Sequence, residues 1–278
     1  MLALVLGGAA LALAAYGWFE AGWVRFRVRE LELSGLPPAL DGLRIAHLSD
    51  LHLGAPGSRG DGAALRAARW VEERRPDLVC VTGDLVAHPR GAEQARRVFG
   101  RLGHAFVVAG NQEEASTRDP FARGSVLGAA GVLGESVLLR DRAATVQARG
   151  ARVQIVGVDP ATFAAGGAEP DALADAEATL RILLCHFPGI ADMVVPDAFH
   201  LVLAGHLHDG QIALPLPGRR LGLAHPRERF LAGPRVLRGG GVLHISPGLG
   251  TTFVPFRFLA RPEVTELVLR AAGSTIRP

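Results

Sequence analysis

The chain has 278 residues, 49% of them hydrophobic and 21% charged, which is enough apolar material for a substantial core and excludes a disordered or fibrous protein. Its formal net charge of +3 is compatible with an anionic substrate or a membrane surface and too weak to point to nucleic acid. Lysine is absent and every basic side chain is arginine.

No residue from Met1 to Phe19 is charged, and apolar character continues past Glu20 to Trp23 and Val24. As a helix this run covers ~30 Å, about one hydrocarbon core, so residues 1–24 read as a membrane anchor. The rival is a secretory signal peptide, since "ALALAA" offers small residues for cleavage, but the cationic start of a signal is missing. Arg25, Arg27 and Arg29 follow the run; the positive-inside rule keeps them cytoplasmic, giving a single-pass protein of the cytoplasmic membrane with its catalytic domain inside the cell.

The domain is expected over residues 30–271. "RVRELELSG" alternates as an edge strand, "LPPALDG" turns, "LRIAHLSD" is a strand, "AALRAARWVEERRP" a helix ended by Pro76, "DLVCVTGD" a buried strand, "AEQARRVFGRLG" a helix and "HAFVVAGN" a strand. That alternation is the signature of a parallel α/β layer. The second half is richer in strands, "RVQIVGVD", "LRILLCH", "FHLVLAGH", "GQIALP", "GVLHISPG" and "EVTELVLR", which predicts a second sheet packed on the first. Between Pro215 and Gly241 a loop-like stretch carries Arg219, Arg220, Arg227, Arg229, Arg235 and Arg238 against the single acid Glu228. Cys80 and Cys185 lie in apolar runs and read as buried free thiols.

Polar residues close the buried strands in a fixed order: Asp50 and His52, Gly83 and Asp84, Gly110 and Asn111, Cys185 and His186, His206 and His208. Ligand sites of open α/β sheets lie at such strand ends. The set offers oxygen and nitrogen donors without thiolate, suited to Mn, Fe, Zn or Mg. One such pair is unremarkable, as a lone strand-end histidine is usually structural; five in succession are not. On these motifs the chain resembles the calcineurin-like metallophosphoesterases over residues 35 to 270. With "SGLPPALDGLRIAHLSDLHLG", "GHLHDGQIALP" and "PGLGTTFVPFRFLARPEVTELVL" it is similar to their membrane-anchored bacterial branch, which includes phosphodiesterases and one type of UDP-2,3-diacylglucosamine hydrolase.

The resemblance implies a four-layer α/β sandwich, two mixed β-sheets flanked by helices, and two divalent metal ions, manganese first among the candidates. It places Asp50, His52 and His208 on one metal, Asn111, His186 and His206 on the other, and Asp84 between them, where an anion offsets the repulsion of two dications. A metal-held hydroxide would attack phosphorus in line with the leaving oxygen.

Gln112 stands where the resemblance calls for a histidine that protonates the leaving group or steadies the phosphoryl oxygen. Glutamine keeps an N–H donor and has no ionisable proton, so hydrogen bonding survives and general acid catalysis does not. The related soluble hydrolases also lack the histidine, having arginine there. Acid help matters most for poor leaving groups, so Gln112 tilts the substrate towards a pyrophosphate or an activated diester; the resemblance to the anchored branch and the apolar N-terminus, taken with it, make UDP-2,3-diacylglucosamine, cleaved to UMP and the lipid monophosphate, the specific expectation. The rival readings are drift at a dispensable position, a broad cell-envelope phosphodiesterase or phosphatase, and a metal-binding scaffold without activity; against the last, every expected ligand is present. His88 reads as a loop residue, His47 as core, and His104, His200, His225 and His244 have no motif. The arginine stretch reads equally as a solvated loop or as a clamp for an anionic headgroup or diphosphate.

Overall fold

The computed structural model describes residues 1–113, 131–217 and 219–272. In chain order the elements are α1 (Leu2–Glu20), β1 (Arg25–Leu33), β2 (Arg44–Leu48), α2 (Gly60–Arg74), β3 (Leu78–Thr82), α3 (Ala92–Leu102), β4 (Phe106–Val108) and β5 (Val137–Leu138). They continue with β6 (Arg142–Ala148), β7 (Ala151–Gly157), α4 (Pro160–Ala164), β8 (Leu180–Leu184), β9 (Leu201–Ala204), β10 (Ala213–Leu216), β11 (Arg219–Gly222), β12 (Gly233–Val236), β13 (Val242–Ile245) and β14 (Glu263–Ala271).

Two six-stranded mixed sheets result, ordered β1-β14-β2-β3-β4-β5 and β12-β13-β9-β8-β7-β6. Their facing sides meet in an apolar layer that includes Ile45, Phe106, Leu267, Ile155, Ile182 and Leu203. The outer face of the first sheet is covered by α2 and α3, whose Ala64, Ala68, Val71, Val98 and Phe99 are buried against Leu48 and Val81. Short helical turns cover the outer face of the second, where Ile190 and Phe199 pack on Leu183 and Val202. Strands buried on both faces explain the unbroken apolar runs in the sequence. Cys80 and Cys185 are free and buried.

Three features differ from the sequence reading. Strand β1 starts at Arg25 and pairs in parallel with β14 along its whole length, so the first sheet takes in residues left between anchor and domain. "EVTELVLR" does not join the second sheet: β14 returns to the first, antiparallel to β2. Alternation within one strand cannot say which sheet completes it, because both offer an apolar face. The arginine-rich stretch holds the β10–β11 hairpin and the edge strand β12, short exposed strands whose charged outer residues hide the periodicity.

Candidate metal centre

Asp50 and His52 follow β2, Asp84 follows β3, Asn111 and Gln112 follow β4, His186 follows β8, and His206 and His208 follow β9. Both sheets thus deliver polar residues to one edge, beyond the ends of their parallel strands. Asp50, His52, Asp84, His206 and His208 all have φ between 45° and 72°, a left-handed conformation that costs a non-glycine residue ~1–2 kcal/mol. Strain gathered on five neighbouring polar residues is the mark of a functional site. Backbone bonds between turns hold it: Asp50 N–H donates to Gly83 O at 2.9 Å, His52 N–H to Asp84 O at 2.9 Å and Gly205 N–H to His186 O at 3.0 Å. Gly83 and Gly110 are needed where these turns touch, since a Cβ on Gly83 would lie 2.7 Å from His186 Nδ1 and 2.8 Å from Gly110 N.

Asp84 sits at the centre, its Oδ2 3.6 Å from His52 Nε2 and 3.5 Å from His186 Nε2. On one side His208 Nε2 lies 3.2 Å from Asp50 Oδ1 and 3.0 Å from His52 Nε2. On the other, His186 Nε2 lies 3.1 Å from Asn111 Oδ1 and 3.2 Å from His206 Nδ1. Asp50, His52 and His208 form one group of buried donors close enough to share an ion, and Asp50, Asp84 and His186 form another. All seven expected ligands therefore meet in one place, with Asp50 also in reach of the His186 side.

The donor set fits divalent cations. His186 Nδ1 faces the Thr82 carbonyl at 2.8 Å; a carbonyl only accepts, so Nδ1 carries a hydrogen and leaves Nε2 as the atom that could ligate an ion. Nε2 faces Asn111 Oδ1 and Asp84 Oδ2; burial lowers His186, but Asp84 and Asp50 push it up on balance, a concentration of negative charge that a cation would also answer. Burial pushes His52 down to about 4 and, with His186 beside it, His206 down to about 2, which keeps both in the neutral, ligating form. Burial alone would raise Asp50, but His208, with His186 and His52, holds it well below the usual carboxylate range.

Gln112 is 2% exposed. Its backbone N–H donates to Asp84 Oδ1 at 2.9 Å; among the described residues its side-chain Nε2 and Oε1 are buried with no hydrogen-bond partner within range, although the amide faces His52 and favours its charged form. A buried amide left unpaired costs ~1–3 kcal/mol.

Three functional residues were missed by sequence reasoning. Glu113, next to Gln112, accepts from Leu85 and Val86 N–H through Oε1 at 2.8 and 3.1 Å and from Gly110 N–H through Oε2 at 2.8 Å. It clamps the Asp84 turn to the Asn111 turn, and three amide donors favour its charged form even though burial and Asp84 push it up to about 7. The acid that follows Gly-Asn-Gln was its only sequence signal. Arg257, with no exposed surface, donates to the carbonyls of Pro247, Gly250, His208 and Ala260, tying the His208 turn to the last loop. His225 lies 4.8 Å from the His206 ring, a proximity between distant segments that no motif announces. Of the histidines read as non-functional, His47 is core, bonded to His244 and Thr82, and His88 accepts from Arg90 N–H in a turn.

The arginine-rich stretch divides. Arg220 pairs with Asp209 at 2.6 Å, whereas Arg227, Arg229 and Arg235 border a hollow of about 510 Å³ that opens beside His206 and contains the stacked pair Phe163 and Phe187.

Residues 43–210 match the calcineurin-like phosphoesterase family. The chain is 26% identical to an uncharacterized metallophosphoesterase of Bacillus subtilis, YkuE, over 98% of this chain and 96% of that protein. It is 27% identical to phosphodiesterase YaeI of Escherichia coli, covering 91% and 89%, and 30% identical to a transmembrane protein with a metallophosphoesterase domain from Danio rerio, covering 98% of this chain and 63% of that protein. Among solved structures, a dimetal phosphatase from Danio rerio aligns over 82% of this chain and 99% of its own with 12% identity and a TM-score of 0.47. The chain belongs to the calcineurin-like phosphoesterase family. It is a metal-dependent phosphoester hydrolase, and its family implies two divalent metal ions.

Proposed function

We propose that the protein is a membrane-anchored phosphoesterase that cleaves a pyrophosphate or activated phosphodiester on a lipid-linked substrate, with UDP-2,3-diacylglucosamine as the specific candidate. The observation that carries the reading is Gln112, a buried amide whose polar atoms have no hydrogen-bond partner within range among the described residues, beside the buried donors Asp50, His52, Asp84, His186 and His208. Asp50, His52 and His208 would hold one ion, Asn111, His186 and His206 the other, and Asp84 would bridge. Divalent ions held by these residues would supply Lewis-acid charge at the phosphoryl oxygens and lower the pKa of a bound water.

The chain's own groups do the rest. Gln112 Nε2 donates a hydrogen bond to a phosphoryl oxygen but delivers no proton, so the leaving group must depart as a stable anion, as a nucleoside phosphate does. Glu113 fixes the two turns that carry Asp84 and Asn111. Arg227, Arg229 and Arg235 offer cationic contacts beside His206 for an anionic leaving group.

The membrane reading rests on α1, 19 residues of mean hydropathy 1.9, and on how it ends. Glu20 is buried and accepts from Ala260 N–H at 2.8 Å, and Gly17 O accepts from Arg257 N–H at 3.0 Å. A helix end built into the fold favours a retained anchor over a cleaved signal. Arg25, Arg27 and Arg29 support a cytoplasmic catalytic domain.

Purified full-length protein with Mn²⁺ should hydrolyse bis-p-nitrophenyl phosphate and convert UDP-2,3-diacylglucosamine to UMP. Turnover of the diester with the lipid nucleotide left intact would remove the substrate and leave a broader phosphodiesterase.

A further inference from the structure

The end of α1 is held by two loops. Trp18 Nε1 donates to Gly57 O at 3.0 Å; the Tyr16 ring packs on Phe258 at 5.7 Å, and Arg261 Nε donates to Trp23 O at 3.0 Å. Around this junction the surface stays apolar. Phe19 is 51% exposed, and beyond it Phe253, Val254 and Leu259 of the second loop are 49%, 40% and 54% exposed. Phe253 and Leu259 have φ of 59° and 52°, so the backbone accepts left-handed strain to turn two large apolar side chains outwards. The β10–β11 hairpin continues the patch: Ala213 N–H donates to Phe258 O at 2.9 Å, and Leu214, Leu216 and the nearby Leu223 are exposed.

The ridge at Phe253 and Val254 is preformed. Buried Gln211 accepts from Thr252 N–H at 2.9 Å and donates to the carbonyls of Thr252 and Val254 at 2.7 and 3.1 Å. Hollows of about 450 and 310 Å³ flank it, the first bounded by Ala55, Pro56 and Pro255, the second by Ile212 and Leu223. The loops that wall them are bonded to the turns that carry the metal donors: Gln211 N–H donates to His208 O at 2.8 Å, and Gly250, next to Thr251, donates its N–H to Asp50 O at 2.6 Å. At the border, Arg59 lies 4.6 Å over the Trp18 ring and Arg261 3.7 Å over Trp23, the pairing of aromatic and cationic groups found at the headgroup level of a bilayer.

We propose that Phe253, Val254, Leu259 and the β10–β11 hairpin form a membrane-docking face. It sits in the headgroup layer of the bilayer that α1 enters and opens the metal centre to phosphoesters displayed on an anionic lipid surface. The inference rests on the membrane reading of α1. Its occupant is a lipid surface because the patch is continuous with the exposed apolar side of α1 and rimmed by arginine; scattered apolar residues would need no such explanation.

Full-length protein in nanodiscs of phosphatidylcholine and phosphatidylglycerol would carry an environment-sensitive fluorophore at F253C, L259C or, as control, V236C on the distant edge strand β12; Cys80 and Cys185 are fully buried and stay unlabelled. Shallow nitroxide lipids should quench positions 253 and 259 at least ~3-fold more than 236. Equal quenching in discs that retain the protein through an alkaline carbonate wash overturns the docking face and leaves the anchor; loss of the protein in that wash overturns both. In a second measurement, the F253D/L259D variant should lose at least ~10-fold in rate on a disc-embedded phosphoester lipid while its rate on soluble bis-p-nitrophenyl phosphate stays within about twofold. Equal rates of wild type and variant on the embedded lipid would also overturn the proposal.

Discussion

Gln112→His places an ionisable proton at the position where the sequence resemblance calls for a histidine. The backbone bond from residue 112 N–H to Asp84 Oδ1, 2.9 Å, does not depend on the side chain, and among the described residues the only side chain the amide influences is His52. The substitution should therefore add an acid without dismantling the ligand cluster. General acid catalysis contributes about 10²- to 10⁴-fold where the leaving group is poor; the lower figure corresponds to ~2.7 kcal/mol of barrier. The assay is kcat/KM over a series of phosphodiesters whose leaving groups run from p-nitrophenol to a simple alcohol. Wild type should show a steep fall along the series. Gln112→His should flatten it, gaining ~100-fold at the alcohol end and changing the p-nitrophenyl substrate less than about threefold. Gln112→Ala, which removes the hydrogen bond alone, should lower all members by a similar factor of about 10. The reasoning is refuted if Gln112→His retains its metals and its rates fall along the series as steeply as wild type.

Two further outcomes follow from buried groups. Glu113→Gln places an NH2 against amide N–H donors, so retention of metal after dialysis against a weak chelator should fall ~10- to 100-fold, with secondary structure unchanged by circular dichroism; unchanged retention contradicts the clamp. Burial pushes His47 down to about 3 and His244 well below its ordinary value. A histidine depressed in the folded state stabilises fully above its unfolded value of ~6.5, and that stability drains away as pH falls, because only the unfolded chain takes up the proton. Each contributes ~1.4 kcal/mol per pH unit over the window between ~6.5 and its folded value, about 3 for His47. His244→Leu should therefore reduce the pH slope of urea stability below pH 6 by about that amount, and parallel slopes for variant and wild type would refute it.

Much of the site was legible because its constraint is local. Gly83 with Asp84 and Gly110 with Asn111 are spelled as dipeptides, since the turns that bring these polar groups together leave no room for a side chain at the glycine. Buried parallel strands betray themselves as apolar runs, so β2, β3, β4, β8 and β9 were found in order. What the sequence hid is relational. Nothing in "EVTELVLR" says that it pairs with β1 and β2, and nothing near Arg257 says that its guanidinium will meet four carbonyls from separate turns. Likewise, exposed apolar residues such as Phe253 and Leu259 become a surface only when the loop is seen against the end of α1.

The central claim, a two-metal phosphoester hydrolase centred on Asp84, is tested most directly by pairing metal analysis with turnover in wild type and Asp84→Asn. Wild type should bind two equivalents of Mn²⁺ per chain and hydrolyse bis-p-nitrophenyl phosphate, and Asp84→Asn should lose at least one equivalent and about a thousandfold or more of the rate. A wild-type protein that holds two metals yet turns over no phosphoester, or an Asp84→Asn variant that keeps both metals and full activity, would contradict it.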